Sequence, residues 1–147
     1  MYKIFTTIII ILLSAAACNQ NSPESFSIDN AWVREAPPNA TAMAGYVTIK
    51  NNTQQKHILS YAKSAQFNQV EIHRTIIENG VAKMRRQNNL PIPADGSLIL
   101  EPGSYHLMLL TPKSPLKAND EVTVTIGLKM DDKVEEMDIL MPVKKAN

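Results

Sequence analysis

The segment YHLMLL, residues 105–110, places a histidine and a methionine two positions apart within an apolar run. In an extended strand, residues i and i+2 project from the same face, so His106 and Met108 would lie side by side. An imidazole nitrogen and a thioether sulfur can both bind a soft metal ion. So short a motif often arises by chance, however. The alternative interpretation is therefore a hydrogen-bonded histidine beside a methionine that packs in the core.

Two further residues of the same types lie upstream, at spacings that fit a β-hairpin. His73 and Met84 lie in the segments QVEIHRTII and VAKMRR, and the Asn-Gly pair between these segments favours a two-residue hairpin loop. Such a loop would place Thr75 opposite Met84 and His73 opposite Arg86, so that His73 and Met84 share one face as diagonal neighbours. The whole pattern, H-x10-M-x21-H-x-M, therefore predicts that a hairpin and a later strand supply four possible ligands for a soft metal.

The elements that must position these residues are short β-strands. Alternating or β-branched runs occur at AGYVTIK, QVEIHRTII, VAKMRR, SLIL, YHLMLL, EVTVTIGLKM and EMDILMPV, and turn signals at PPN, KNN, NG, PIPADG, EPGS and KAND separate them. Many short strands at this spacing predict an all-β protein, an antiparallel sandwich or barrel of one domain.

The N-terminal sequence is typical of an exported protein. Residues 1–17, MYKIFTTIIIILLSAAA, have one early cation and an apolar run that ends in small residues, which predicts a signal peptide. Cys18, the only cysteine, follows directly, where bacterial lipoprotein signals carry the acylated cysteine. Ordinary cleavage would leave a free thiol there, and an unpaired cysteine in an oxidising compartment favours the lipoprotein alternative. We expect a lipid-anchor cysteine and polar tether at residues 18–25 and the folded domain at residues 26–147.

Charge and motif content exclude several classes of function. Loss of Lys3 with the signal peptide leaves 14 Lys and Arg against 14 Asp and Glu, so no basic character indicates a nucleic-acid partner. The chain lacks the C-x-x-C pair of a thiol oxidoreductase, a nucleophile elbow and a phosphate-binding loop, and two thioethers do not suit a zinc hydrolase. A blue-copper electron carrier needs a cysteine ligand within its folded domain. These observations favour a binding protein over an enzyme.

From about residue 27 to residue 143 the chain resembles the PCu(A)C family of periplasmic copper chaperones. Besides the histidine and methionine pattern, the shared segments are AWVREAP, AMAGYVTIKN, VEIHRT, GVAKMR, LEPGSYHLMLL and PLKANDEV. The resemblance implies a cupredoxin-like Greek-key β-sandwich that binds one Cu(I) through His73, Met84, His106 and Met108. It also implies a monomer that delivers copper to the binuclear copper centre of cytochrome c oxidase, with subunit II or another copper-transfer protein as partner. A periplasmic copper storage or tolerance protein would use the same ligands, so this alternative stays open.

Three loops depart from the family pattern. His57 stands where an aspartate is common, Ser104 where a second glycine is usual, and Asn119 where glycine precedes aspartate. Some relatives bind a second copper ion in a tail rich in histidine and methionine, whereas MPVKKAN has no histidine, so we expect no second site there.

Other residues of the same types are assigned to packing. We expect His57 to be solvated or hydrogen-bonded, and Met43 to pack in the core, with a cover over the metal site as the alternative. Trp32 is expected in the core. Three methionines of the last strands are expected to pack or to lie at the surface: Met130, Met137 and Met141.

Overall fold

A computed structural model describes residues 25–145, and within this range the regular structure consists of ten β-strands. They are β1 (Phe26–Arg34), β2 (Ala42–Asn51), β3 (His57–Lys63), β4 (Phe67–Glu78), β5 (Val81–Gln87), β6 (Leu90–Ile92), β7 (Ser97–Leu100), β8 (Tyr105–Pro112), β9 (Glu121–Met130) and β10 (Lys133–Lys144). The all-β prediction is confirmed. The expected signal peptide, Cys18 and nearly all of the tether lie outside the described residues. No helix within residues 25–145 has the length and apolar character that a membrane crossing requires.

The strands follow one continuous hydrogen-bonded order, β5-β4-β8-β2-β1-β10-β9-β3-β6, with β7 also paired to β2. All neighbours are antiparallel except β1 and β10, which run parallel. The sheet curves round so that β3 packs near β4, and β6 packs near β7. This closure gives the predicted sandwich or barrel, with the hydrophobic core inside it.

The core is filled by the inward side of each alternating strand. On β8, Leu107 and Leu109 are fully buried, and on β4 Ile72 is buried between two outward residues. Because alternate residues of a strand point to opposite faces, the partners of these core residues lie on the outer face of β4 and β8. That outer face carries His73, His106 and Met108.

Three strands were missed from the sequence. The strands β1, β3 and β6 were not among the predicted segments. β2 continues through Asn51 in the expected turn KNN, and β6 extends from Leu90 into the expected turn PIPADG. Asn51 is buried, and its side-chain amide donates to the carbonyls of Gln55 and Pro93. These bonds satisfy a polar residue inside the strand. Pro91 is accommodated because β6 is an edge strand, where a missing N–H breaks no ladder.

The prediction that Trp32 lies in the core is wrong. Phe26 is buried and Ile28 packs against the core, but the β1–β2 register shifts between Asp29 and Trp32, which reverses the alternation so that Val33 points inward instead. Trp32 is therefore half-buried on the outer face. Its ring lies 4.7 Å from that of Tyr46, measured between centroids.

Candidate metal site

The β4–β5 hairpin has the register expected from its sequence. Thr75 pairs with Met84, and His73 pairs with Arg86. The loop residues Asn79 and Gly80 both have positive φ, 53° and 76°, as a type I′ turn requires. Met84 and His73 are consequently diagonal neighbours on one face of the hairpin.

The strand β8 pairs with the other side of β4 and brings the second histidine to the first. His73 lies directly opposite His106, and Glu71 lies directly opposite Met108. The two imidazole rings are 5.9 Å apart between centroids and inclined at 60°. Since opposed residues in an antiparallel pair project from the same face, three adjacent strands place all four predicted ligands on one face of the sheet.

The four side chains differ in their depth. His106 is 3% exposed although it points away from the core, whereas Met84 on the edge strand β5 is 58% exposed. His73 and Met108 are half-buried. The group therefore extends from a buried imidazole at β8 to an exposed thioether at β5.

Each histidine uses one ring nitrogen in a hydrogen bond and leaves the other without a partner. Nε2 of His73 is 2.7 Å from a carboxylate oxygen of Glu71, and Nδ1 of His106 is 3.2 Å from the carbonyl oxygen of Ser104. Nδ1 of His73 and Nε2 of His106 are buried, and neither has a hydrogen-bond partner within the described residues. An unpaired buried nitrogen costs free energy, and a bound ion would remove that cost. Two neutral nitrogens beside two thioethers suit Cu(I).

Burial favours the uncharged form of His106. Loss of hydration in this environment lowers the pKa of the imidazole, and the charge of nearby His73 acts in the same direction, while the hydrogen bond to Ser104 opposes it. A neutral imidazole is the form that binds a metal ion.

No group of three or more His, Cys, Asp and Glu side chains between residues 25 and 145 is arranged to hold a metal ion. The arrangement on β4, β5 and β8 becomes a possible four-ligand site only when its methionines are included. Ligands of these types suit a soft metal ion better than a hard divalent cation.

The other candidate residues have structural surroundings. Met43 is buried in the core, as expected. It pairs with Leu109 on β8 and also lines a cavity of about 180 Å³ beside Met108. His57 is buried on β3, where Nδ1 is 3.0 Å from the carbonyl of Gln55 and the ring meets Phe26 edge-on. The hydrogen-bonded role expected for His57 is confirmed.

The methionines assigned to packing or the surface agree with that assignment. Met141 is fully buried, Met137 packs against the core, and Met130 is half-buried at the end of β9.

Sequence reasoning missed two residues that contact the histidines, Glu71 and Ser104. Glu71 precedes His73 by two positions in VEIHRT, and Ser104 precedes His106 by two positions in GSYHLM. The same i and i+2 spacing that linked His106 to Met108 would have placed Glu71 on the face of His73. No comparable rule would have identified the Ser104 backbone carbonyl.

The fold is a cupredoxin-like all-β sandwich with a group of histidines and methionines on one face. The described residues contain no cysteine, which blue-copper electron carriers use as a copper ligand. Residues 26–141 match the family described as "Putative lipoprotein LpqE-like", and the chain belongs to this family. The expected membership in the PCu(A)C group and the expected cupredoxin-like fold are both confirmed.

The chain is similar to a relative from another bacterium and to two solved structures. "Putative lipoprotein Lxx21020" of Leifsonia xyli subsp. xyli (strain CTCB07) is 31% identical over 132 residues, which cover 82% of this chain and 78% of that protein. The solution structure of CuI-DR1885 from Deinococcus radiodurans is 26% identical, with a TM-score of 0.65 over 88% of this chain and 85% of that one. The copper-bound PCuAC domain from PmoF2 has a TM-score of 0.67 at 20% identity, over 83% and 94% of the two chains, and supports the fold alone.

Proposed function

We propose that this protein is an exported copper chaperone that binds one Cu(I) through His73, Met84, His106 and Met108. The observation that carries the proposal is a pair of buried imidazole nitrogens on neighbouring strands, neither of which has a hydrogen-bond partner between residues 25 and 145. Both belong to residues that share a sheet face with two methionines. A soft monovalent ion satisfies these nitrogens and uses the sulfur atoms, which hard ions would bind poorly.

The ligand types suit copper handling outside the cytoplasm. Thioether sulfur forms no disulfide, so a site built on Met84 and Met108 keeps its ligands where thiols are oxidised. All four ligands are neutral, and burying the single charge of Cu(I) deep in the core would be costly. The outer face of the sheet avoids that cost and keeps the ion within reach of a partner.

Export and anchoring belong to the same proposal. A signal peptide at residues 1–17 and acylation of Cys18 would hold the domain, residues 26–147, at the periplasmic side of a membrane through a short tether. The relative from Leifsonia xyli carries the description of a lipoprotein, which supports this proposal. Membrane contact would be made by the lipid anchor alone, and the chain would act as a monomer.

We propose delivery of the ion rather than storage, because Met84 is exposed. A receiving protein can approach a thioether that is 58% exposed and replace it as a ligand while the histidines still hold copper. The proposed recipient is the binuclear copper centre of cytochrome c oxidase, in subunit II, or another copper-transfer protein. A storage or tolerance protein would gain from covering all of its ligands.

Titration of the processed chain with Cu(I), against a competing Cu(I) chelator, tests the binding proposal. We expect one Cu(I) per chain and far weaker binding of Zn(II), because two of the four ligands are thioethers. A stoichiometry of zero, or displacement of Cu(I) by Zn(II), would overturn the metal assignment.

A second experiment tests delivery. The Cu(I)-loaded chain is mixed with the copper-free soluble domain of oxidase subunit II, and the two proteins are separated and assayed for copper. We expect copper to move to the oxidase domain faster than it dissociates into a chelator of matched affinity. Transfer no faster than that dissociation would support storage instead.

A further inference from the structure

Glu71 is held in one orientation by neighbours on both sides. Its Oε1 accepts a hydrogen bond from Nε2 of Gln69 at 2.6 Å and forms an ion pair with Nη1 of Arg86 at 3.0 Å. Its Oε2 lies 2.7 Å from Nε2 of His73. The carboxylate is 14% exposed. Because Gln69 and Arg86 both bind Oε1, the other oxygen, Oε2, stays directed at the histidine.

This contact decides which nitrogen of His73 carries the proton. An ionised carboxylate only accepts hydrogen bonds, and a neutral imidazole has one N–H and one lone pair. Nε2 of His73 must therefore carry the proton that it donates to Glu71. The lone pair is left on Nδ1, the buried nitrogen that has no hydrogen-bond partner in the part of the chain that the structure describes.

His106 has the opposite arrangement. Its Nδ1 lies 3.2 Å from the carbonyl oxygen of Ser104, which likewise only accepts, so Nδ1 carries the proton. The lone pair is on Nε2, the second buried nitrogen for which the described residues supply no hydrogen-bond partner. The backbone N–H of Thr75 also donates to this carbonyl, at 3.0 Å, which ties Ser104 to β4. Both acceptors are thus fixed by the sheet that carries the histidines.

We propose that Glu71 is a positioning residue which, together with the Ser104 carbonyl, sets opposite tautomers of the two histidines before copper arrives. His73 then presents Nδ1 to the ion, and His106 presents Nε2. This inference rests on the proposed function, since it describes how that site is prepared. Glu71 itself does not bind the ion. Partners of this kind orient a metal-binding histidine and raise its affinity for the metal.

Nuclear magnetic resonance of the 15N-labelled, copper-free processed chain tests the tautomers directly. At a pH where both rings are neutral, two-bond correlations between ring protons and nitrogens identify the protonated nitrogen. We expect the proton on Nε2 in His73 and on Nδ1 in His106. A proton on Nδ1 of His73, or on Nε2 of His106, would overturn the proposal whether or not the protein binds copper.

Addition of Cu(I), which is diamagnetic, keeps these resonances observable and separates the two proposals. We expect the largest 15N shifts at Nδ1 of His73 and Nε2 of His106. Shifts at the opposite nitrogens would overturn the inference alone. If Cu(I) shifts neither ring, the proposed function fails, while the tautomers of the copper-free chain are still established.

Variants of Glu71 test its positioning role. Glu71→Leu removes the acceptor and should lower Cu(I) affinity about 10- to 100-fold, the range found for partners of metal-binding histidines. Glu71→Gln keeps an oxygen that can accept the proton of Nε2, so it should recover part of that affinity. In Glu71→Leu, the Nε2–H resonance of His73 should exchange faster with water, because its acceptor is gone.

Glu78 supplies the matched control. It lies on the same strand and also binds cations of β5, Arg85 at 2.6 Å and Lys83 at 2.8 Å. Within residues 25–145, none of its hydrogen bonds involves a histidine. Glu78→Leu should leave Cu(I) affinity and the His73 resonances unchanged. Equal Cu(I) affinities of folded Glu71→Leu and Glu78→Leu would show that Glu71 does not position the ligand.

Discussion

Met84 and His106 lie on the two strands that flank His73, and they are 58% and 3% exposed. The candidate site is therefore closed on the β8 side and open on the β5 side. Because β5 is an edge strand whose residues are almost all exposed, a partner can reach the thioether without any movement of the sheet. Met84 is the residue through which copper would enter and leave.

Replacement of Met84 by leucine should separate binding from folding. The side chain is exposed, so the free energy of unfolding should change by less than about 0.5 kcal/mol. Loss of one copper–sulfur bond should lower Cu(I) affinity by about tenfold or more, which is roughly 1.4 kcal/mol. Denaturant unfolding and chelator competition measure the two quantities.

Val81→Leu is the control for that variant. Val81 lies on the same strand and is equally exposed, at 58%, but alternation places it on the opposite face of β5. It should leave Cu(I) affinity unchanged. If Met84→Leu binds Cu(I) as tightly as Val81→Leu, Met84 is not a ligand.

Met108→Leu tests the half-buried sulfur of β8. Leucine conserves volume and apolar character, so the variant should lose less than about 1.5 kcal/mol of fold stability. Its Cu(I) affinity should fall by about tenfold or more, as one sulfur ligand is lost. Met130→Leu makes the same chemical change at a half-buried position on β9. Equal affinities of the two folded variants would assign Met108 to packing.

Local patterns were sufficient for most of the fold. Alternating β-branched runs identified β9 and β10, because one face of each strand is buried in the core. The burial of Trp32 was predicted wrongly because a one-residue bulge after Asp29 reverses the alternation. Asn30, within that bulge, has a φ of 52°, and the segment NAW carries no glycine to indicate it. A bulge of this kind depends on the pairing with β2, which the sequence of β1 alone does not contain.

Contacts within the site between residues near in sequence could be predicted, whereas contacts between distant residues could not. The register of His73 and Met84 follows from the loop at residues 79–80, which lies between them. The pairing of His73 with His106 joins positions separated by 33 residues, and spacing alone gave no register for it. The contact between Glu71 and His73 depends on side-chain rotamers that Arg86 and Gln69 help to fix.

The stability of the copper-free chain should depend on pH through His106. A histidine in the unfolded chain titrates near about pH 6.5, and burial holds the pKa of His106 below that value. Between the two pKa values the unfolded chain binds more protons than the folded one, so the free energy of unfolding rises with pH. The contribution is complete above the unfolded pKa and is lost as the pH falls through the folded pKa.

Denaturant unfolding of the copper-free chain at several pH values on both sides of that range measures this effect. The groups that face His106 are the ring of His73 and the carbonyl of Ser104. His106→Gln should show a smaller loss of stability on acidification than the unaltered chain. An identical pH dependence in the two proteins would assign the loss to other groups.

Copper affinity should also fall on acidification, for a separate reason. Protons and Cu(I) compete for the lone pairs of His73 and His106, whereas thioether sulfur does not titrate in this range. The part of the decline that is due to His106 should occur below the ordinary histidine range, because burial lowers the pKa of this imidazole. Chelator competition at a series of pH values, corrected for protonation of the chelator, measures the decline. Replacement of both histidines by asparagine should remove most of it. His57→Gln should retain it, since His57 is hydrogen-bonded to Gln55 and packs against Phe26 rather than against either histidine. Persistence of the full decline in the double variant would show that neither imidazole binds the ion.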